Sequence, residues 1–356
     1  MKRRHFLTAA SALMASAAIP IPARTETSET ITASHIPPLK GFNLLEKFTL
    51  HGNKPYVERD FEWMAQWGFN FVRLPMDYRC WTDSADPKKL DEKVLKEIDQ
   101  VVEWGKQYKI HINLNLHRAP GYCVNPPEEP LDLWTSEAAQ DQFCFQWRNF
   151  AERYKNVSSQ NLSFDLLNEP KDMPEEQYAP VVRKAVAAIR SVSPDRLVVI
   201  DGLRWGQVPV FSLVDLKIAQ STRGYQPMRI SHYKASWIGG SDKWPEPTWP
   251  LKEGERVWDK ERLRQQTIEP WKKLEAQGAG VHVGEWGVYK FTPHAVALAW
   301  MEDVLSLWKE AGWGYSQWNL RGTFGIVDSN RDDVKYEDFQ GHSLDRKMLE
   351  LLLKYK

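Results

Sequence analysis

A chain of 356 residues with 42% apolar content is long enough to bury a large core, as one α/β barrel or as two ordinary domains. Lysine plus arginine balance aspartate plus glutamate at 47 each, so no net field recruits nucleic acid or an anionic membrane surface, and partners must be recognised by shape. The compositional outlier is 17 tryptophans and 12 tyrosines, more ring surface than a core requires and suited to stacking on flat, hydroxylated partners such as sugar rings. Three cysteines, Cys80, Cys123 and Cys144, are too few and too scattered for a disulfide framework or a zinc site. One bridge with a leftover thiol, or three buried thiols, both fit.

The chain opens with Arg3 and Arg4 ahead of an alanine-rich apolar run from Leu7 to Ile21, with small-residue cleavage positions near Ala17 and Ala23. That run is too short to span a bilayer, and the order Arg-Arg-x-Phe-Leu is similar to a twin-arginine export signal. Residues 1–35 are therefore expected to be a leader and residues 36–356 the exported, folded part, in the periplasm or outside the cell. An integral membrane protein is not expected, and a monomer is.

From residue 39 the pattern alternates between strand and helix. Strands are predicted over 39–44, 69–74, 110–116, 163–167, 196–201, 228–233, 280–285 and 314–318. Helical spacing follows each, over 56–67, 91–108, 137–154, around 181–189, 260–277, 292–311 and 344–353, with only a short helical piece at 211–216 after the fifth strand. Eight such units without a composition break predict one (β/α)8 TIM barrel, a single α/β domain. An open, doubly wound sheet is the competing arrangement, because periodicity does not close a sheet.

The stretch Ser163-Phe-Asp-Leu-Leu-Asn-Glu-Pro170 organises the rest. Its apolar run reads as a strand buried on both faces, and it delivers Asn168 and Glu169 to its own tip before Pro170 stops the pairing. Other strand ends supply Arg73, His117, His232 with Tyr233, Glu285 with Trp286, and Trp318. Strand C-termini converge on one face of a barrel, so Glu169 and Glu285 should face each other across its mouth. Two carboxylates across a cleft are what glycosidic cleavage requires, one protonated to donate to the leaving oxygen and one ionised to attack the anomeric carbon. Arg73 is placed to keep Glu285 ionised, Tyr233 to donate to the same carboxylate, and Asn168 to hold a sugar hydroxyl.

The set Arg73, His117, Asn168-Glu169-Pro170, His232-Tyr233, Glu285 and Trp318 resembles glycoside hydrolase family 5, the family that contains cellulases, over residues 41 to about 318. The resemblance implies Glu169 as general acid/base, Glu285 as nucleophile, retention of anomeric configuration with the two carboxyls about 5–5.5 Å apart, and Trp318 as the floor of the −1 sugar site. It also implies a β-linked oligo- or polysaccharide as substrate and no cofactor. One departure stands out: the family often shows His-x-Tyr after strand six, whereas this chain reads Ser231-His232-Tyr233-Lys234.

The insertion 234–258, with Trp237 and Trp244 among prolines, and the loop carrying Tyr122 and Trp134 are candidate cleft walls, as is Trp286; packing of these rings on one another is the alternative. Asp201 is expected to be structural or a distant sugar contact. No acidic or histidine cluster has metal-ligand spacing, so no metal site is expected, and no glycine-rich phosphate loop occurs. A β-glucan is the expected substrate. A β-mannanase or exo-acting β-glucosidase shares these groups, and a non-catalytic carbohydrate-binding barrel is the rival from another class.

Overall fold

The computed structural model describes residues 29–83 and 85–356, so Arg3, Arg4 and the apolar run of the expected leader lie outside the described residues. Eight parallel strands pair in chain order: β1 (Lys40–Asn43), β2 (Phe71–Asp77), β3 (His111–Ala119), β4 (Leu162–Asp165), β5 (Val198–Asp201), β6 (Ala219–Gly224), β7 (Val281–Trp286) and β8 (Tyr315–Gln317). The last strand pairs with the first, Lys40 opposite Tyr315 and Phe42 opposite Gln317. That pairing closes the sheet into a single-domain (β/α)8 barrel and removes the open-sheet alternative.

Strand β3 shows why the sheet can be buried on both faces. Ile112, Leu114 and Leu116 alternate with His111, Asn113, Asn115 and His117. The apolar set packs in the main core beneath the helices. The polar set turns into the barrel, where Asn113 Nδ2 donates to Ser163 Oγ at 2.8 Å and Asn115 Nδ2 to the Asp165 carbonyl at 3.1 Å. Outside, the helix Glu92–Tyr108 starts on the Asp91 side chain, which accepts from the Lys93 amide, and buries Val94, Leu95, Ile98, Val101 and Val102. Each such side chain stabilises the fold by about 1.5–3 kcal/mol relative to exposure. Gly105 lets this helix approach the sheet, since a Cβ there would sit 2.6 Å from Ile112 Cγ1.

Other helices cover the barrel over Glu58–Trp67, Glu137–Arg153, Glu175–Arg190, Glu269–Glu275, His294–Ala311 and Arg346–Lys354, and the place after β5 holds only the short turns Leu203–Gly206 and Phe211–Leu216. One strand assignment is corrected. The sixth strand is Ala219–Gly224, and Met228–Ser231, predicted as that strand, is a single helical turn. Upstream of residue 36 the chain is already packed. Ile31, Ile36 and Leu39 plug the N-terminal mouth of the barrel against Phe71, Leu197, Val199 and Ala219. Gln160 clamps both backbone groups of Ile31, accepting from its amide and donating to its carbonyl at 2.9 Å each. All three cysteines are free thiols. Among the described residues no helix is long and apolar enough to cross a membrane.

Candidate active site

The two glutamates reach the C-terminal mouth by different backbone devices. On β7, strict alternation would turn His282, Gly284 and Trp286 inward and Glu285 outward. The register against β6 instead shifts between Val283, opposite Thr222, and Glu285, opposite Arg223, so one extra residue is accommodated at Gly284. The bulge turns Glu285 into the barrel and Trp286 out. Gly284 is required there, because a Cβ would meet Ser221 Oγ at 2.3 Å and Arg223 Nη1 at 2.9 Å. At the end of β4, Glu169 adopts φ +49° and its amide donates to Asp201 Oδ2 at 2.8 Å. Asp201, expected to be structural, thus anchors the backbone that presents Glu169.

Two guanidiniums organise the carboxylates. Arg73, almost wholly buried, donates through Nη1 to Glu285 Oε1 at 2.6 Å, through Nε to Asp165 at 2.8 Å and through Nη2 to Asn168 Oδ1 at 2.9 Å. Arg223 donates through Nε to Glu169 Oε1 at 2.9 Å and through Nη2 to Asn168 Oδ1 at 2.9 Å, with Glu285 Oε1 at 3.4 Å. Asn168 therefore accepts twice through its oxygen, and its buried Nδ2 has no partner among the described residues. One arginine touches both glutamates, yet their ionisation is driven apart. Burial raises the Glu169 carboxyl above its ordinary value, and the neighbouring charge of Glu285 adds to that rise against Arg223. Burial also pushes Glu285 up, but Arg223 and then Arg73 outweigh it and hold Glu285 below the ordinary carboxylate value.

The phenol beside Glu285 belongs to Tyr225, whose Oη lies 3.3 Å from Oε2. Tyr233, expected there, is buried away from the cleft with the Lys234 ammonium 5.0 Å over its ring. This follows from the shifted sixth strand, and the spacing His-x-Tyr falls on Arg223-Gly224-Tyr225, with arginine in the histidine position. Sequence reading missed both Arg223 and Tyr225. The x-Tyr spacing directly after a strand was the available signal.

Glu169, Arg223, Tyr225 and Glu285 line a cavity of about 350 Å³ together with Phe48, His117, His232, Trp237, Trp318 and Phe324. His117 donates or accepts at Nε2 with Asn125 at 2.8 Å, and its ring packs edge-on to Phe48, 4.5 Å between centroids, and beside Trp318. His232 is held by Ser231 Oγ at 2.8 Å and packs edge-on to Tyr225. Burial lowers both imidazoles to about 4, so both are neutral near pH 7.

Of the candidate wall aromatics, Trp237 is 52% exposed at the rim and lines the cleft. Tyr122 and Trp134 pack edge-on at 5.3 Å and line an adjoining pocket of about 430 Å³, which shares Val124 and Trp205 with the main cleft. Tyr122 Oη also donates to the Glu169 carbonyl at 2.7 Å. Trp286 is not a wall: the bulge sends it among Trp300, Trp308 and Tyr315, fully buried. Trp244 also lies off the lining, with Arg229 6.0 Å from its ring centre. Trp205, not singled out in the sequence, is 43% exposed on the rim, held at φ +56° with its amide bonded to the Pro170 carbonyl. A larger groove of about 710 Å³ opens at the opposite end of the barrel, but its Arg196 donates to the Tyr154, Val157 and Leu162 carbonyls and acts as a structural clamp.

Comparison with known proteins places the chain among glycoside hydrolases. The family model Cellulase (glycosyl hydrolase family 5) matches residues 33–323. Endoglucanase C of Acetivibrio thermocellus is 26% identical over 306 residues, covering 79% of this chain and 89% of that protein. The crystal structure of a glycoside hydrolase superposes with a TM-score of 0.85 at 43% identity, covering 90% of this chain and 100% of that one. Thermotoga maritima Cel5A, solved in a mutant form with cellobiose, shares the fold at a TM-score of 0.71 and 21% identity, over 88% of this chain and 96% of that one. With the family match spanning most of the barrel, the chain belongs to glycoside hydrolase family 5 and is a cellulase-like glycoside hydrolase.

Proposed function

We propose that this protein cleaves β-glycosidic bonds in a β-glucan with retention of configuration, by double displacement. The carrying observation is that Glu169 and Glu285 meet on one guanidinium while burial and charge push their ionisation in opposite directions. Glu169, holding a proton, donates it to the glycosidic oxygen as the aglycone leaves, and Glu285, ionised and held by Arg73, attacks the anomeric carbon. Water then attacks the same carbon; its proton passes to Glu169, and the C1–O bond to Glu285 breaks to return the carboxylate. Asn168 Nδ2 is the donor left over for a sugar hydroxyl, and Trp318 and Trp237 offer faces for sugar rings. The name of the A. thermocellus relative, endoglucanase, favours a glucan as substrate. The protein is further proposed to be exported by way of Arg3 and Arg4, a route that the double change to lysine should block in a fractionated cell.

The test is E285Q on carboxymethylcellulose, mixed-linkage glucan and mannan, with the anomer of the first product followed by NMR for the parent. Hydrolysis should vanish in the variant, and the parent should release the β-anomer from glucan first. A variant as active as the parent, or initial release of the α-anomer, overturns the mechanism. Faster turnover of mannan than of either glucan overturns the substrate.

A further inference from the structure

Arg223 stands where the family pattern often carries a histidine, and it differs from histidine in holding its charge at every pH the enzyme meets. Its position is fixed from several sides. Asp201 accepts from Nη1 at 3.0 Å and also from Nη2, and Ser221 Oγ accepts from Nη1 at 3.0 Å. A Cβ at Gly206 would sit 2.6 Å from Arg223 Cγ, so backbone presses on the stem. The guanidinium therefore cannot swing toward one glutamate and away from the other. Its charge is shared between them by geometry, with Nε on Glu169 and Nη2 near Glu285. Arg73 is not shared in this way, because its donors go to Glu285, Asp165, Asn43 and Asn168.

The two halves of the reaction load this shared cation differently. Before the first, Glu285 is an anion and Glu169 carries a proton, so Arg223 is balanced by Glu285 and Asp201. In the covalent intermediate Glu285 is a neutral ester, and the anions left to face Arg223 are Asp201 and whatever Glu169 offers. We propose that Arg223 is a positioning residue for the second half of the reaction: as Glu285 becomes an ester, the fixed guanidinium favours Glu169 as the carboxylate that takes the proton from water. In that step the water oxygen bonds to the anomeric carbon, the ester C1–O bond breaks with its electron pair returning to Glu285, and the water proton ends on Glu169. The inference rests on the double-displacement reading and separates the two arginines: Arg73 holds Glu285 and not Glu169, while Arg223, shared between the two glutamates, carries the change of role at Glu169.

The experiment uses R223Q on dinitrophenyl β-cellobioside, whose leaving group departs without a proton from Glu169, so the second half is exposed. The expected result is a stoichiometric burst of dinitrophenolate followed by a steady rate at least about ten-fold below the parent, within the range that general-base help supplies. Intact mass should show the glycosylated protein during turnover. Azide, a nucleophile that needs no base, should raise the steady rate and yield the glycosyl azide. A variant of purely structural effect would slow both halves together, show no burst and ignore azide, and that outcome overturns the proposal. If R223Q does not fold by circular dichroism, the same burst and azide response are read in R223K, which keeps charge and loses the fork. Trapping the parent with a fluorinated cellobiosyl fluoride separates the two levels. A parent that forms no adduct overturns double displacement itself, whereas a trapped parent beside a burst-free variant overturns the role of Arg223 alone.

Discussion

Replacing Arg73 by lysine tests the electrostatics at their centre, because it keeps the charge and removes the geometry. One guanidinium, 1% exposed, reaches Glu285 at 2.6 Å, Asp165 at 2.8 Å and Asn168 at 2.9 Å from three different nitrogens. An ammonium is a single point on a flexible stem, and no one position of it serves all three acceptors. If it settles on Asp165, the donors to Glu285 and Asn168 are lost. Each charge-assisted bond is worth about 1.5–3 kcal/mol, so the pair amounts to ~3–6 kcal/mol. At about 1.4 kcal/mol per decade, kcat/KM on an aryl β-cellobioside should fall by about two to four orders of magnitude. The pH profile carries a second signature. Glu285 is held below its ordinary value by Arg223 and Arg73 against burial, so its ionisation, and with it the acid limb of kcat/KM, should move to higher pH in R73K. Circular dichroism and Tm establish that the variant is folded. A folded R73K with undiminished kcat/KM and an unmoved acid limb would refute the assignment of Arg73 as the nucleophile's cation.

Three further outcomes follow from the cleft. Y225F removes a donor 3.3 Å from Glu285, at the long end of a hydrogen bond, and should lower kcat/KM by about five-fold, or ~1 kcal/mol, while Y233F leaves it unchanged; equal losses in both would contradict the placement of the sixth strand. W237A should raise KM for cellooligosaccharides with little change in kcat, and W244A should not, as steady-state kinetics on a chain-length series will show. Burial lowers His111 to about 4 and His282 to about 3 from an ordinary 6.5, so the unfolded chain takes up their protons at higher pH than the folded one. Their contribution to stability is complete above about pH 6.5 and is lost as the pH falls toward the folded values. Thermal melts of H111Q and H282Q should therefore show a shallower loss of Tm on acidification than the parent, and parallel curves would contradict it.

The outward face of this barrel was legible and the inward face was not. Apolar runs located β3 and β4 because Ile112, Leu114 and Leu116, or Leu162 and Phe164, pack under helices. Strand β6 reads Ala-Gln-Ser-Thr-Arg-Gly, all buried, and gave no apolar signal. Its side chains are satisfied locally instead: Gln220 pairs with both backbone groups of Val210, Thr222 donates to the Gly206 carbonyl, and Arg223 grips Asp201. The apolar stretch at Met228–Ser231 took its place by pattern and displaced the tyrosine assignment by eight positions. The bulge at Gly284 was equally silent, since a one-residue register shift leaves composition untouched while exchanging which of Glu285 and Trp286 enters the cleft. The two glutamates and Arg73, which the structure brings together, were legible because their motifs sit at strand ends, where chemistry and chain order coincide.

The polar interior that hid β6 also bears on which glutamate holds the proton. Arg73 and Arg223 face Asp165, Asp201, Glu169 and Glu285, so full ionisation would leave an excess of negative charge inside the barrel. A like charge at about 4 Å costs about 4 kcal/mol at an effective dielectric of 20, which lifts a carboxyl toward the neutral range. Asp201 engages Arg223 through both oxygens and the Glu169 amide, and Glu285 faces both guanidiniums. Asp165 has one oxygen on Arg73 and the other without a partner among the described residues, while Glu169 has Arg223 alone. Burial and neighbouring anions push both of these upward. On the proposed mechanism the proton thus falls to Asp165 and Glu169 rather than to Glu285, and the acid facing the cleft is selected by charges that lie beneath it.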